Sequence, residues 1–93
     1  MREILVLIAF DRVALKDYHY WIDNDLKIHK KIRTLLKDIE RNKYTGLGHP
    51  KPLTGNRSGW WSRDIDNEHR LIYRVIDDEI IEIKQCKGHY DDK

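Results

Sequence analysis

A chain of 93 residues with 40% hydrophobic and 37% charged residues is long enough to bury one core and too apolar to stay disordered. Its net charge of +2 does not by itself argue for nucleic acid, and its single cysteine, Cys86, excludes an intrachain disulfide and suits a reducing compartment. The apolar stretch from Ile4 to Phe10 stops at Asp11 and Arg12, far short of the roughly 20 residues that span a bilayer, so the expectation is one cytoplasmic domain over residues 1–93 that meets no membrane.

Glu3 to Ala9 is a continuous aliphatic run, the pattern of a strand covered on both faces and lying inside a sheet. From Phe10 the period becomes helical, with Phe10, Val13, Ala14, Tyr18 and Trp21 on one stripe. Asn24 and Asp25 supply a stop and a new N-cap. A second helix then places Ile28, Ile32, Leu35, Leu36 and Ile39 on one face. From Leu26 to Lys43 seven Lys/Arg stand against Asp38 and Glu40, a local charge of +5 that the modest total conceals. A solvated face explains such a row, and so does a phosphate-backbone footprint, for which Lys30 and Lys37 are the candidates.

Tyr44 to Gly59 holds four of the five glycines and both prolines, which forbids a helix or a central strand. It carries no G-x-x-x-x-G-K-[ST] phosphate loop. Three strand-like runs follow, Trp60 to Ile65, Arg70 to Val75 and Ile80 to Cys86, the last two joined by an acidic turn at Asp77-Asp78. Alternation puts Leu71, Tyr73 and Val75 on one face and Arg70, Ile72 and Arg74 on the other, and it sends Trp60 and Trp61 to opposite sides. The elements together read as an α+β domain, β-α-α-β-β-β, with two helices on one face of a four-stranded, mainly antiparallel sheet. The five histidines include no i,i+4 pair and no cysteine partner at metal spacing, so no metal site and no cofactor are expected.

The ordered set Ser58-Gly59-Trp60-Trp61-Ser62-Arg63, Glu68-His69-Arg70-Leu71-Ile72-Tyr73 and His89-Tyr90 resembles the YoeB/Txe branch of the RelE-type toxins, small bacterial mRNA endonucleases. Upstream the likeness extends to Asp17-Tyr18 with Trp21, to Lys31-Ile32 with Leu35-Leu36-Lys37-Asp38, and to Gly46, Gly48, Pro50, Pro52 and Leu53, covering about residues 17–90. The resemblance implies the toxin of a type II toxin–antitoxin system, with a RelE-like fold and ribosome-dependent, metal-independent cleavage of mRNA through the 2′-hydroxyl. It implies as partners the ribosome with its message and an antitoxin of YefM type, and it admits a homodimer. The same fold serves gyrase-poisoning toxins, which lack the His89-Tyr90 pair.

Such cleavage needs a base for the 2′-hydroxyl, a cation for the phosphorane and an acid for the leaving 5′-oxygen. Carried over by resemblance, His89 is the acid, Arg70 the phosphate clamp and Tyr90 a group that stacks on a base or orients the phosphate. Arg63 and Arg74 complete an arginine-bearing, RNA-binding face, along which an acidic-hydrophobic antitoxin segment would lie. The sequence departs from the family twice. Lys51 stands between the two prolines where a glutamate is the presumed base, and Asp64 stands where a second arginine often follows the first. Reversed polarity would make Asp64 the base or proton relay and Lys51 the phosphate partner. The rival expectation, favoured by Lys51, is a catalytically silent module that binds its antitoxin and regulates its operon.

Overall fold

Two aspartates organise the helical layer of the protein, which a computed structural model describes over residues 6–89. The Asp11 carboxylate accepts the Ala14 amide at 2.8 Å and caps α1 (Arg12–Asn24). Asp25 does two jobs. Its amide donates to the Trp21 carbonyl and closes α1, while its carboxylate accepts the Lys27 and Ile28 amides at 3.1 and 3.3 Å and opens α2 (Leu26–Arg41). One helix ends where the next begins, as the sequence leads one to expect. Ala14, Asp17 and Trp21 of α1 and Ile32, Leu35, Leu36 and Ile39 of α2 turn inward at the spacing of a helical stripe.

The strands β1 (Leu7–Phe10), β2 (Lys51–Pro52), β3 (Trp61–Asp64), β4 (Arg70–Ile76) and β5 (Ile80–Gln85) form one sheet in the order β1-β5-β4-β3-β2. β1 runs parallel to β5, a pairing that requires the helical crossover between them, and the other pairs are antiparallel. The architecture is the expected one with two corrections. The sheet has five strands, because the proline-rich connector adds the two-residue β2 at its outer edge, where the missing N–H of Pro52 interrupts no ladder. The first strand is not inside the sheet either. It forms the opposite edge, with Leu7 63% exposed and Ala9 exposed, while Ile8 and Phe10 pack against the core. An unbroken aliphatic run signals compatibility with burial on both faces but does not say which neighbours will provide it.

Asp77, Asp78 and Glu79 join β4 to β5; the two aspartates take φ of 52° and 59°, the left-handed region, and the Glu79 amide closes the turn on the Ile76 carbonyl at 3.0 Å. Leu71 and Tyr73 of β4, Ile81 and Ile83 of β5, and Ile65 meet both helices in a single cluster, and each fully buried aliphatic side chain there contributes about 1.5–3 kcal/mol. The helix-free face carries Arg70, Ile72 and Arg74. Among the described residues no helix is long and apolar enough to cross a membrane.

Candidate active site

The strand registers build a row of charge across the helix-free face. Asp64 pairs with Arg70 across β3 and β4, and the Asp64 amide donates to the Gly48 carbonyl at 2.6 Å, which carries the β2–β3 pairing back to His49. Side chains in register follow. Arg70 Nε donates to Asp64 Oδ1 at 2.9 Å, and His49 Nδ1 lies 3.3 Å from Asp64 Oδ2. Arg70 is further fixed by Nη1, which donates to the Asp66 and His69 carbonyls at 2.7 and 3.1 Å. None of these bonds uses Nη2. Exposure rises along the row, from 16% for the Arg70 side chain to 37% for Asp64 and 90% for His49. Burial works to raise the Asp66 carboxyl, but the amides of His69 and Glu68 outweigh it and hold it below its ordinary range, which keeps the β3–β4 turn that presents Arg70 closed around a carboxylate.

The segment after β5 that leads to His89 is tied down atom by atom. The Cys86 amide donates to Asp17 Oδ2 at 3.1 Å, and the Cys86 carbonyl accepts Trp21 Nε1 at 2.8 Å. Gly88 donates to His69 Nδ1 at 2.8 Å, and its carbonyl accepts the Arg70 amide at 2.9 Å. Gln85 Nε2 spans the loop to the Lys87 and His89 carbonyls. The His69 ring meets the edge of Trp21, 4.7 Å between centroids, so α1, the turn before β4 and the tail share one junction. His89 thus follows a residue bonded to the Arg70 backbone. Tyr90 and the segment Asp91 to Lys93 lie outside the described residues.

A second row holds Lys51, exposed on β2, opposite Ser62, which is buried with its Oγ unpartnered. A third holds Arg74, whose Nε donates to Glu82 at 2.8 Å and whose guanidinium lies 4.5 Å from the Trp60 ring centre, with the Lys84 ammonium 5.1 Å from the same ring. Trp61 turns the other way, against the core and 4.8 Å from the Tyr44 ring, so the two tryptophans divide as strand alternation demands.

Arg63 corrects the sequence reading. It is fully buried, and all five of its N–H donors are occupied: Nε to the Tyr73 hydroxyl, Nη1 to Asp38 at 2.6 Å and the Leu47 carbonyl, Nη2 to the Asn42 and Thr45 carbonyls at 2.6 and 2.8 Å. A guanidinium so enclosed is not available to RNA. It gathers the 42–47 loop onto the sheet. Tyr73 completes the hub by donating to the Lys43 carbonyl at 2.7 Å, and burial raises its phenol above the ordinary range against the opposing pull of Arg63. The Leu47 amide first and the Arg63 guanidinium second hold the Asp38 carboxyl below its ordinary value. Arg63, Arg70 and Arg74 therefore each have an acidic partner within the chain, in Asp38, Asp64 and Glu82, and need none from outside for neutrality.

The structure also separates two groups that the sequence reading combined. Lys30 and Lys37 lie on the exposed side of α2, lining a shallow groove with Arg33 and Thr34, in the layer behind the sheet and away from Arg70. Four residues were given no role in the site from the sequence. Asp17 had a legible signal, a carboxylate on the stripe of Ala14 and Trp21, but His49, His69 and Asp38 acquire their roles only from strand register and loop closure. Among the described residues no group of three His, Cys, Asp or Glu side chains is placed to hold a metal ion.

Residues 10–90 match the family model described as the YoeB-like toxin of bacterial type II toxin–antitoxin systems. Toxin YoeB of Streptomyces coelicolor is 43% identical over 83 residues, covering 89% of this chain and 98% of that protein. A YoeB/ParE toxin from Agrobacterium tumefaciens superimposes with a TM-score of 0.89 at 36% identity, over 91% of this chain and all of that one. The YoeB of Staphylococcus aureus, solved in a heterotetrameric YoeB–YefM complex, superimposes with a TM-score of 0.85 at 46% identity over 91% and 98% of the two chains, and it has also been solved as a dimer.

Proposed function

The chain belongs to the YoeB-like toxin family of bacterial type II toxin–antitoxin systems, and we propose that it is a ribosome-dependent, metal-independent endoribonuclease that cleaves mRNA through its 2′-hydroxyl. What supports this reading is the hydrogen bond from the Arg70 amide to the Gly88 carbonyl, which ties the residue before His89 to the strand whose Arg70 guanidinium is oriented by three hydrogen bonds of its own. Arg70 Nη2 takes a non-bridging phosphate oxygen, His89 protonates the departing 5′-oxygen, and Tyr90 stacks on a base or orients the phosphate. Charge developing on the phosphorane meets a cation that is already in place, which is where such sites obtain most of their rate. Arg74 and the Trp60 ring beside it offer a second phosphate contact and a stacking surface. The basic side of α2, with Lys30 and Lys37, faces away from the scissile bond and suits contact with the ribosome instead.

The similarity to the S. aureus complex and dimer supports an antitoxin of YefM type and a homodimer for this chain as well. The antitoxin's acidic segment would compete for Arg70 and Arg74 against Asp64 and Glu82. A second reading has one observation in its favour. Asp64 occupies the Arg70 Nε that would grip phosphate bidentately, so a silent module that keeps only its antitoxin contact remains the rival.

Primer extension on translated message after inducing the protein alone decides between the two. New cleavage ends with the wild type, absent with Arg70→Ala and His89→Ala while both variants still bind antitoxin, fit the nuclease. Equal growth arrest by all three, with no new ends, refutes it.

A further inference from the structure

We propose that His49 is the general base of this site, taking the 2′-hydroxyl proton through Nε2 while Asp64 orients its ring; this rests on the nuclease reading above. The reaction needs a proton acceptor, and neither of the groups that the sequence suggested is well placed for it. Lys51 is a cationic side chain, a partner for phosphate charge and not a proton acceptor. Asp64 has both oxygens engaged, Oδ1 by Arg70 and Oδ2 by His49. A carboxylate between a guanidinium and an imidazole holds both in place. With Nδ1 directed at Asp64, the second ring nitrogen of His49 points away from the protein, and the side chain is 90% exposed on the face that carries Arg70.

The backbone supports the assignment. His49 adopts φ 53°, a left-handed conformation that is uncommon outside glycine and that His, Asn and Asp take more readily than other residues. Gly48, at φ 79°, bonds through its carbonyl to the Asp64 amide, and an added Cβ there would press on the Asp64 carbonyl and Leu35 at 3.0 Å, so the turn that presents His49 is tied to β3 and suits glycine. The charged groups around His49 are Asp64 from β3, Arg70 from β4, which shares the Asp64 carboxylate, and Lys51 two residues along where β2 begins. His89 follows Gly88, whose carbonyl accepts the Arg70 amide.

The step balances with side chains alone. His49 Nε2 accepts the 2′-OH proton as the 2′-oxygen bonds to phosphorus. The P–O5′ bond breaks, its electron pair leaves with the 5′-oxygen, and His89 supplies the proton. A 2′,3′-cyclic phosphate and a 5′-hydroxyl result, and the two imidazoles exchange protons with solvent to reset.

The test uses His49→Asn, because asparagine tolerates the left-handed backbone and can still bond Asp64 but cannot accept a proton. Cleavage of ribosome-bound message should fall by about 100-fold or more, and the acidic limb of the pH–rate profile should vanish with it. A message with a bridging 5′-sulfur at the cut site separates base from acid. A thiolate leaves without protonation, so His89→Ala should recover on this substrate and His49→Asn should not. Wild-type rates with an unchanged acidic limb in His49→Asn, or its rescue by the sulfur substrate, overturn the assignment alone. Absence of cleavage by the wild type overturns it together with the nuclease reading.

Discussion

Replacing Arg63 by methionine should unfold this protein more readily than any change among the exposed arginines, and the structure gives the size of the effect. The guanidinium is fully buried and makes five hydrogen bonds, one to a carboxylate and three to the carbonyls of Asn42, Thr45 and Leu47. Those three residues are exposed, so their carbonyls regain water when the arginine is removed, and the loop rather than the core bears the loss. The Tyr73 hydroxyl loses a buried partner, and a shorter side chain leaves a void beside Leu71. Truncating a buried charged donor costs about 3–5 kcal/mol, and the solvent-facing loop places Arg63→Met at the lower end, about 3 kcal/mol. For a chain of this size that lowers Tm by roughly 12–24 °C. Urea melts at pH 7 of the wild type, Arg63→Met and Arg63→Lys provide the measurement. The lysine variant keeps the charge without the planar fork and should fall between the other two.

The same melts carry a pH signature. Asp38 has its folded-state pKa lowered, chiefly by the Leu47 amide and then by Arg63, so its contribution is fully present above the unfolded carboxyl value and is lost as pH falls through the folded one. Wild-type stability should therefore decline below about pH 4, and Arg63→Met should show less of that decline. If Arg63→Met melts within about 0.5 kcal/mol of the wild type, the hub reading is wrong and the guanidinium is free to serve RNA after all.

Two further outcomes follow from the same geometry. Gly46→Ala should destabilise by about 2 kcal/mol in a urea melt, since Gly46 sits at φ 105° and an added Cβ would collide with the Asp38 carboxylate; a neutral result would mean that the 42–47 loop is not held as described. Lys30→Glu with Lys37→Glu should weaken ribosome binding and reduce the log–log salt slope by about 1 per lost phosphate contact, leaving the melt unchanged; an unaltered slope returns α2 to a merely solvated face.

The helices were legible because their signals are local. Asp25 between two apolar stripes is both a stop and a cap, and it performs both functions. Strand alternation was equally dependable, placing Tyr73 toward the helices and Arg74 away from them. Sheet order was not local. Nothing within the apolar run at the start of the chain distinguishes an edge strand paired in parallel with β5 from a central one, and a two-residue β2 is shorter than any period can reveal.

Arg63 shows why the charges were harder to read than the apolar positions. The sequence reading set it with Arg70 and Arg74 on an RNA-binding face, whereas strand register pairs it with Leu71 on the core face, where a lone guanidinium is costly to bury. The cost disappears only when five acceptors converge, and four of them come from the segment 38–47, which the sequence presents as a helix end running into a glycine-rich loop. One step along β3 the logic reverses. Asp64 faces outward, into a row with Arg70 and His49, where a second arginine would have set like charges side by side across the strand pair. The aspartate turns that juxtaposition into attraction and gives an otherwise solvent-exposed imidazole a fixed partner. The departure from the family pattern at position 64 is thus tied, through strand register, to the histidine at position 49, and the two are intelligible only as a pair.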